Sequence, residues 1–164
     1  MHNRTCGHLL MALLLGITGQ ALAMDSDDFV ENAAQGGIAE IEAGKLALEK
    51  STSADVKAFA EKMVADHGKA NKELKALASK LDIKVPDDAE LTDKAKKMIL
   101  DLREGSFDPA YANNQVNAHE NAVKLFTEAS ESADKPQIKA FATQTLPTLK
   151  HHLEMAKKLQ SAHK

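Results

Sequence analysis

The chain has 164 residues, of which 27% are charged and 4% aromatic, with no tryptophan, one cysteine and a formal net charge of −3. So few aromatics are poor material for a β-sandwich core or a base-stacking platform, and the acidic balance argues against a nucleic-acid-binding face. The length suits one domain, and the abundance of Ala, Lys, Glu and Leu is helix-forming composition.

Met1 to Ala23 reads as a secretory signal peptide rather than as part of a domain. Arg4 is its single formal charge, an apolar run covers Leu9 to Ile17, and Ala21-Leu22-Ala23 supplies an A-x-A ending. The apolar run is well short of the roughly 20 residues of a membrane span. Cleavage after Ala23 is expected, leaving Met24 to Lys164 as one helical domain with 20 basic and 24 acidic residues. Cys6 leaves with the leader, and it precedes the apolar run, so it is not the lipidated cysteine of a lipoprotein. The mature chain then has no disulfide and no thiolate for a metal.

The spacing of apolar residues predicts helices throughout. The first runs from about Asp27 to Lys50 with Ser26 as its cap, and its stripe is Val30, Ala33, Gly37, Glu40, Gly44 and Ala47, with Ile38, Ile41 and Leu48 adjoining. The second runs from about Ala54 to Leu81 with Ser53 as its cap. Its register is Val56, Ala60, Met63, His67, Ala70, Leu74, Leu77 and Leu81, the 4-3 alternation of a bundle helix. Ser51-Thr52-Ser53 is short enough to require an antiparallel hairpin. After Pro86-Asp87-Asp88, a shorter helix is expected over Leu91 to Arg103. Beyond Gly105-Ser106, a long helix covers Phe107 to Ser132, with an inner face combining Tyr111, Gln115, Ala118, Ala122 and Leu125 with Val116, His119, Val123 and Phe126. The last starts near Asp134 and shows Ile138, Ala142, Thr145, Leu149, His152, Ala156 and Leu159. Pro147 should bend it or cost it a hydrogen bond, a full break being the alternative.

These elements predict an all-α fold, a ferritin-like four-helix bundle in which a short helical crossover joins two hairpins. A plain up-down bundle with a helical side excursion is the alternative.

Four residues break the apolar registers. Glu40, His67, His119 and His152 each fall on the inner face of a different long helix. At about 1.5 Å per residue, the crossover topology puts them roughly 14 to 20 Å below the Ser51–Ser53 turn, one level within the error of the helix ends. Gln115 lies one turn above His119 and can join them. A single histidine on an apolar face is usually a satisfied core residue, but three with a carboxylate at one level need a common account. Two arrangements provide one: a Glu–His hydrogen-bonded network, or a divalent cation held by neutral imidazoles and a carboxylate. Zinc, copper or non-haem iron would suit such ligands, and calcium would not. Asp66 and Glu120, next to His67 and His119 in sequence, point about 100° away; solvated flank positions are the first expectation for both, and second-shell partners the alternative. His151 and Glu42 should lie off the core, and His163 in a frayed tail.

Di-iron carboxylate bundles carry Glu-x-x-His on two helices. Here Val64, Val116 and Leu149 stand three residues before the inward histidines, which disfavours that chemistry. No Ser-His-Asp grouping, phosphate-cradling glycine loop or Cys-His pair is present, and nothing commits the chain to catalysis.

The segments Ala33-Ala34-Gln35-Gly36-Gly37-Ile38-Ala39-Glu40 into Gly44-Lys45-Leu46-Ala47, Val56 to Ala60 with Met63 to His67, Tyr111 to His119 with Leu125-Phe126, and Leu146-Pro147-Thr148-Leu149 with His152-Leu153 occur in order. Together they resemble the secreted bacterial ferritin-like family called domain of unknown function 4142, over about Ser26 to Leu159. The resemblance implies a ferritin-like bundle, export to the periplasm or cell envelope of a Gram-negative bacterium, and polar family positions at Glu40, His67, His119 and His152. Such proteins are often labelled outer-membrane or membrane proteins. It also makes Pro147 a family feature, and it supplies no activity. Two functions are then open: a metal-binding bundle, or a non-enzymatic envelope interaction or stress module with protein partners and a structural polar core. Neither requires nucleic acid, and the mature chain has no transmembrane span.

Overall fold

The computed structural model describes residues 23–99 and 106–164. The expected leader, apart from Ala23, and the end of the third helix at Arg103 lie outside them. The described residues form helices α1 (Ser26–Lys50), α2 (Ala54–Lys80), α3 (Asp88–Met98), α4 (Phe107–Ser132) and α5 (Pro136–Ala162). The long helices pack as a bundle, and α4 has the bounds that the spacing predicts.

The caps correct the sequence reading. Asp25, not Ser26, caps α1, its carboxylate accepting from the Asp27 N–H at 2.8 Å. Ser26 is instead buried, with its hydroxyl on the Asp134 carboxylate. Ser53 occupies the cap position of α2 without a capping side-chain bond. Helix α3 begins three residues early because Asp87 accepts from the Glu90 N–H at 2.9 Å. At the end of α2, Asp82 takes φ 54° and the Ile83 N–H reaches back to the Ala78 carbonyl at 2.9 Å. This is a Schellman-type closure with aspartate where glycine is usual. Helix α5 runs unbroken through Pro147, so the full break is excluded. Proline there only withholds one N–H from the preceding turn.

Contacts at the helix ends orient the bundle. At one end the Met24 N–H meets the Ser132 carbonyl at 2.9 Å and the Asp134 N–H meets the Met24 carbonyl at 3.0 Å, tying the start of α1 to the α4–α5 turn. At the other, His163 meets Asp55 at 2.9 Å and Gln160 meets Asn113 at 2.8 Å, joining the end of α5 to the starts of α2 and α4. His163 is thus held by Asp55 rather than lying in a frayed tail.

Two glycines let α1 and α2 approach closely. A Cβ on Gly37 would overlap the Asn71 side chain, which crosses to α1 and donates to the Ala34 carbonyl at 3.1 Å. A Cβ on Gly44 would come within 2.8 Å of Val64 Cγ2. This approach brings small residues into the core: Ala34, Ala39 and Ala43 are buried, whereas Ile38, Ile41 and Leu48 of the expected adjoining stripe are only half-buried.

The core divides in two. One apolar cluster gathers Phe29, Leu74, Phe126, Ile138 and Phe141 near the α4–α5 turn, with the Phe29 and Phe126 rings edge to face at 5.0 Å. The other gathers Phe59, Met63, Tyr111, Val116 and Leu159 near the Ser51–Ser53 turn. On every long helix a buried, chemically reactive side chain lies between the two clusters: Glu40 on α1, His67 on α2, His119 on α4 and His152 on α5.

Candidate metal centre

All four of those side chains are buried, as their registers predict, with exposures of 6% for Glu40, 7% for His67 and 1% for His119 and for His152. Gln115 is fully buried one turn from His119. The three histidines converge: each offers one ligand atom, and these atoms lie within 4.8 Å of one another. Glu40 is outside that group of three but lines the same cavity as His67 and His119.

The hydrogen bonds orient the rings. The His119 Nδ1 is 2.9 Å from the Gln115 backbone carbonyl, which can only accept, so the proton sits on Nδ1 and Nε2 carries a lone pair. The His152 Nε2 is 2.8 Å from the Asp66 carboxylate, which leaves Nδ1 as the free nitrogen, and this buried Nδ1 has no partner. The His67 Nε2 faces the His119 Nε2 at 3.4 Å. Two nitrogens bound to one tetrahedral ion at about 2.0–2.1 Å stand about 3.3–3.4 Å apart. The pair therefore already has the spacing of two ligands of one ion. A carbonyl behind one imidazole and a carboxylate behind another are the outer contacts that metal-bound histidines usually make.

Asp66 thus departs from the solvated-flank expectation. It bonds His152 and is itself gripped by Lys62 at 2.9 Å, because α5 packs along that flank of α2. Burial pushes its carboxyl up, but Lys62 and His152 outweigh this and hold it below the usual carboxylate value. Glu120 keeps the flank reading: it is exposed and lies 3.7 Å from Lys157. His151 is exposed, and Glu42 pairs with Lys45 at 2.8 Å.

Burial sets the charge state of the layer. It drives His67 down to about 3, with the neighbouring histidines adding to the effect, and His119 down to about 4 against its bond to Gln115. His152 is lowered too, by burial working against Asp66. Burial pushes Glu40 up to about 8, opposed by Gln115, and raises Tyr111 with help from the Glu40 charge. At neutral pH the imidazoles are neutral, with lone pairs available, and the Glu40 carboxyl is protonated. The Glu40 Oε2, the Gln115 Oε1 and the Tyr111 hydroxyl are buried without a hydrogen-bond partner among the described residues. Neutral imidazoles beside unsatisfied oxygens suit a cation better than they suit each other.

Sequence reasoning missed one buried polar residue beside this layer. Asn71 is buried where the 4-3 register expects Ala70, because the buried face of α2 advances through His67, Asn71, Leu74 and Ala78 at nearly the 3.6-residue period of a straight helix. Its signal is a polar residue four positions after His67, facing a glycine. Tyr111 is legible as a core ring, but its stranded hydroxyl is not.

The chain matches the family described as "Domain of unknown function (DUF4142)" over residues 17–159. It belongs to that family. No curated protein matches it. Among solved structures, it is similar to "CopM in the Cu(II)-bound form", at a TM-score of 0.70 and 15% identity, over 86% of this chain and 100% of that one. It is similar also to "CopM in the Ag-bound form (by soaking)", at 0.67 and 16%, over 83% and 94%. A third, "DUF305 fragment from Deinococcus radiodurans", matches at 0.69 and 13%, over 87% and 99%. At these identities the likeness is one of fold. Among the described residues, no helix is long and apolar enough to cross a membrane.

Proposed function

We propose that this protein binds a divalent transition-metal ion through His67, His119 and His152, with Glu40 releasing its proton as the ion binds and supplying the compensating carboxylate from the cavity side. The observation that carries the reading is the convergence of three buried, neutral imidazoles, two of them at the spacing of ligands to one ion. The donor set fits copper, zinc or iron. The copper-bound CopM of similar fold makes copper the first ion to test. With Asp66 and the Gln115 carbonyl behind the ligands, the role is storage, buffering or sensing in the periplasm or cell envelope. The leader-like residues Met1 to Ala23 support that location. The same reading takes the bundle as ferritin-like, with α3 carrying the chain from the Phe29 cluster, which Leu91 joins, toward the Tyr111 cluster, which Ile99 joins. The end contacts of α1, α2, α4 and α5 support it.

The test is elemental analysis of untagged protein purified from the envelope fraction, with thermal melts before and after adding copper, zinc or iron. A copurifying ion and a raised melting temperature are expected. Metal-free protein whose melting is unchanged by all three ions would end this reading.

The other reading is an envelope interaction or stress module whose polar layer only fixes helix register. Its support is that His119 and His152 each already hold a protein partner. Against it stand the partnerless atoms of Glu40, Gln115 and His152, which a self-sufficient network would not strand. It predicts that changing all three histidines to alanine impairs folding and abolishes no metal binding.

A further inference from the structure

A cavity of about 230 Å³ lies between α1 and α4 and reaches the candidate centre. Exposed Asn32 and Asn121 stand at its rim, and Glu40, His67 and His119 are among its most buried lining residues. Its walls carry Ala118, Ala122, Leu125, Phe126, Phe141 and Leu149. Three features define what it can hold. It is many times larger than the roughly 30 Å³ that one water occupies in the liquid, so a metal-bound water would leave it mostly empty. Among the described residues, no Lys, Arg or Asp lines it, and Glu40 is the single acidic one, on a chain that is 27% charged. The cavity's other polar residues, such as Asn71, Asn114 and Thr145, are uncharged, so an ionised visitor would find no countercharge there beyond Glu40. Finally, the cavity touches His67 and His119 but not His152, whose outer edge is taken by Asp66.

Three imidazoles and the Glu40 carboxylate complete a four-coordinate ion and leave a five-coordinate ion one open position. Since His152 and Asp66 close the α2–α5 side, that open position faces the cavity. We propose that the cavity receives a small, uncharged organic molecule with one lone-pair donor atom, whose apolar body lies against the α4 and α5 walls while the donor completes the coordination of the ion at His67 and His119. The inference rests on the metal reading above and adds to it a ligand class and an entry route.

The test uses copper(II)-loaded protein titrated at pH 7.5 with 4-methylpyridine, a neutral molecule of suitable size, and with toluene, which has the same shape without the nitrogen. The visible ligand-field band and the electron paramagnetic resonance spectrum should shift with 4-methylpyridine to a one-to-one end point and stay unchanged with toluene. Ala118→Leu and Ala122→Leu, each at a half-buried wall position, should weaken the response at least tenfold while changing copper affinity less than threefold; two variants guard against one that folds poorly. Copper-loaded protein that gives no shift, or variants that respond like the parent, would overturn this inference alone. Protein that takes up no copper would overturn the metal reading, and this inference with it.

Discussion

The apolar cluster around Phe29 and the polar layer around His119 are both buried to within a few per cent, yet they differ in what burial leaves undone. In the first, the Phe29 and Phe126 rings pack edge to face, and the start of α1 is tied to the α4–α5 turn by backbone bonds. In the second, oxygens and a nitrogen are buried without partners, a carboxyl is held protonated, and three imidazoles are kept neutral. The two regions teach that depth alone does not separate stability from function. What separates them is whether each buried group has found its partner inside the chain.

That contrast can be broken at either region. The largest expected effect is in the apolar cluster. Phe29→Ala should cost about 3–5 kcal/mol, seen as a lower denaturant midpoint, and leave the metal stoichiometry of the folded protein unchanged. In the polar layer, His119→Ala should instead remove the stabilisation that metal confers, about 2.7 kcal/mol when free metal is a hundred times its dissociation constant. Melts with and without copper would then coincide for the variant and differ for the parent. Asp66→Asn is a smaller change, because it keeps the ligands and weakens only the group that orients His152. Metal affinity should drop by about 10- to 100-fold in a competition titration, with the fold retained.

A pH series sharpens the same contrast. For metal-free protein, the histidines have folded values below their ordinary 6.5, so acid protonates the unfolded chain first, and stability rises with pH from about 4 to 6.5. Glu40 has a folded value near 8, above its ordinary 4.5, so the folded state keeps a proton that the unfolded state has lost. Its contribution is full below 4.5 and is lost as the pH climbs to 8. Below 6.5 three histidines outweigh one carboxyl; above it Glu40 acts alone, at about 1.4 kcal/mol per pH unit. Melting temperature should therefore peak near pH 6.5 and decline toward 8. Glu40→Gln should retain the rise and abolish the decline.

Much of this was legible in the sequence, for physical reasons. Helix α4 and the inward faces of Glu40, His67, His119 and His152 follow from a 3.6-residue period that burial enforces on every long helix. The convergence of the histidines needed only the helix rise and the hairpin connections. The caps were harder, since Asp25 and Ser26 both suit the position and the choice fell to Asp134, a tertiary partner 108 residues away from Ser26. Asp66 was masked for the same reason. Its angle from His67 is a property of α2, but its partner is decided by where α5 packs. The cavity was not legible at all. Ala118, Ala122 and Leu125 read as ordinary core residues, and a periodic pattern does not tell a side chain that touches its neighbour from one that borders a void.

X-ray absorption of the copper-loaded, untagged protein tests the central claim most directly, because it counts and names the atoms around the ion. Three imidazole nitrogens at about 2.0 Å, no sulfur, and loss of the imidazole multiple scattering when His67, His119 and His152 are replaced together are the expected result. A first shell of solvent oxygens alone, or a spectrum unchanged by the triple replacement, would contradict it.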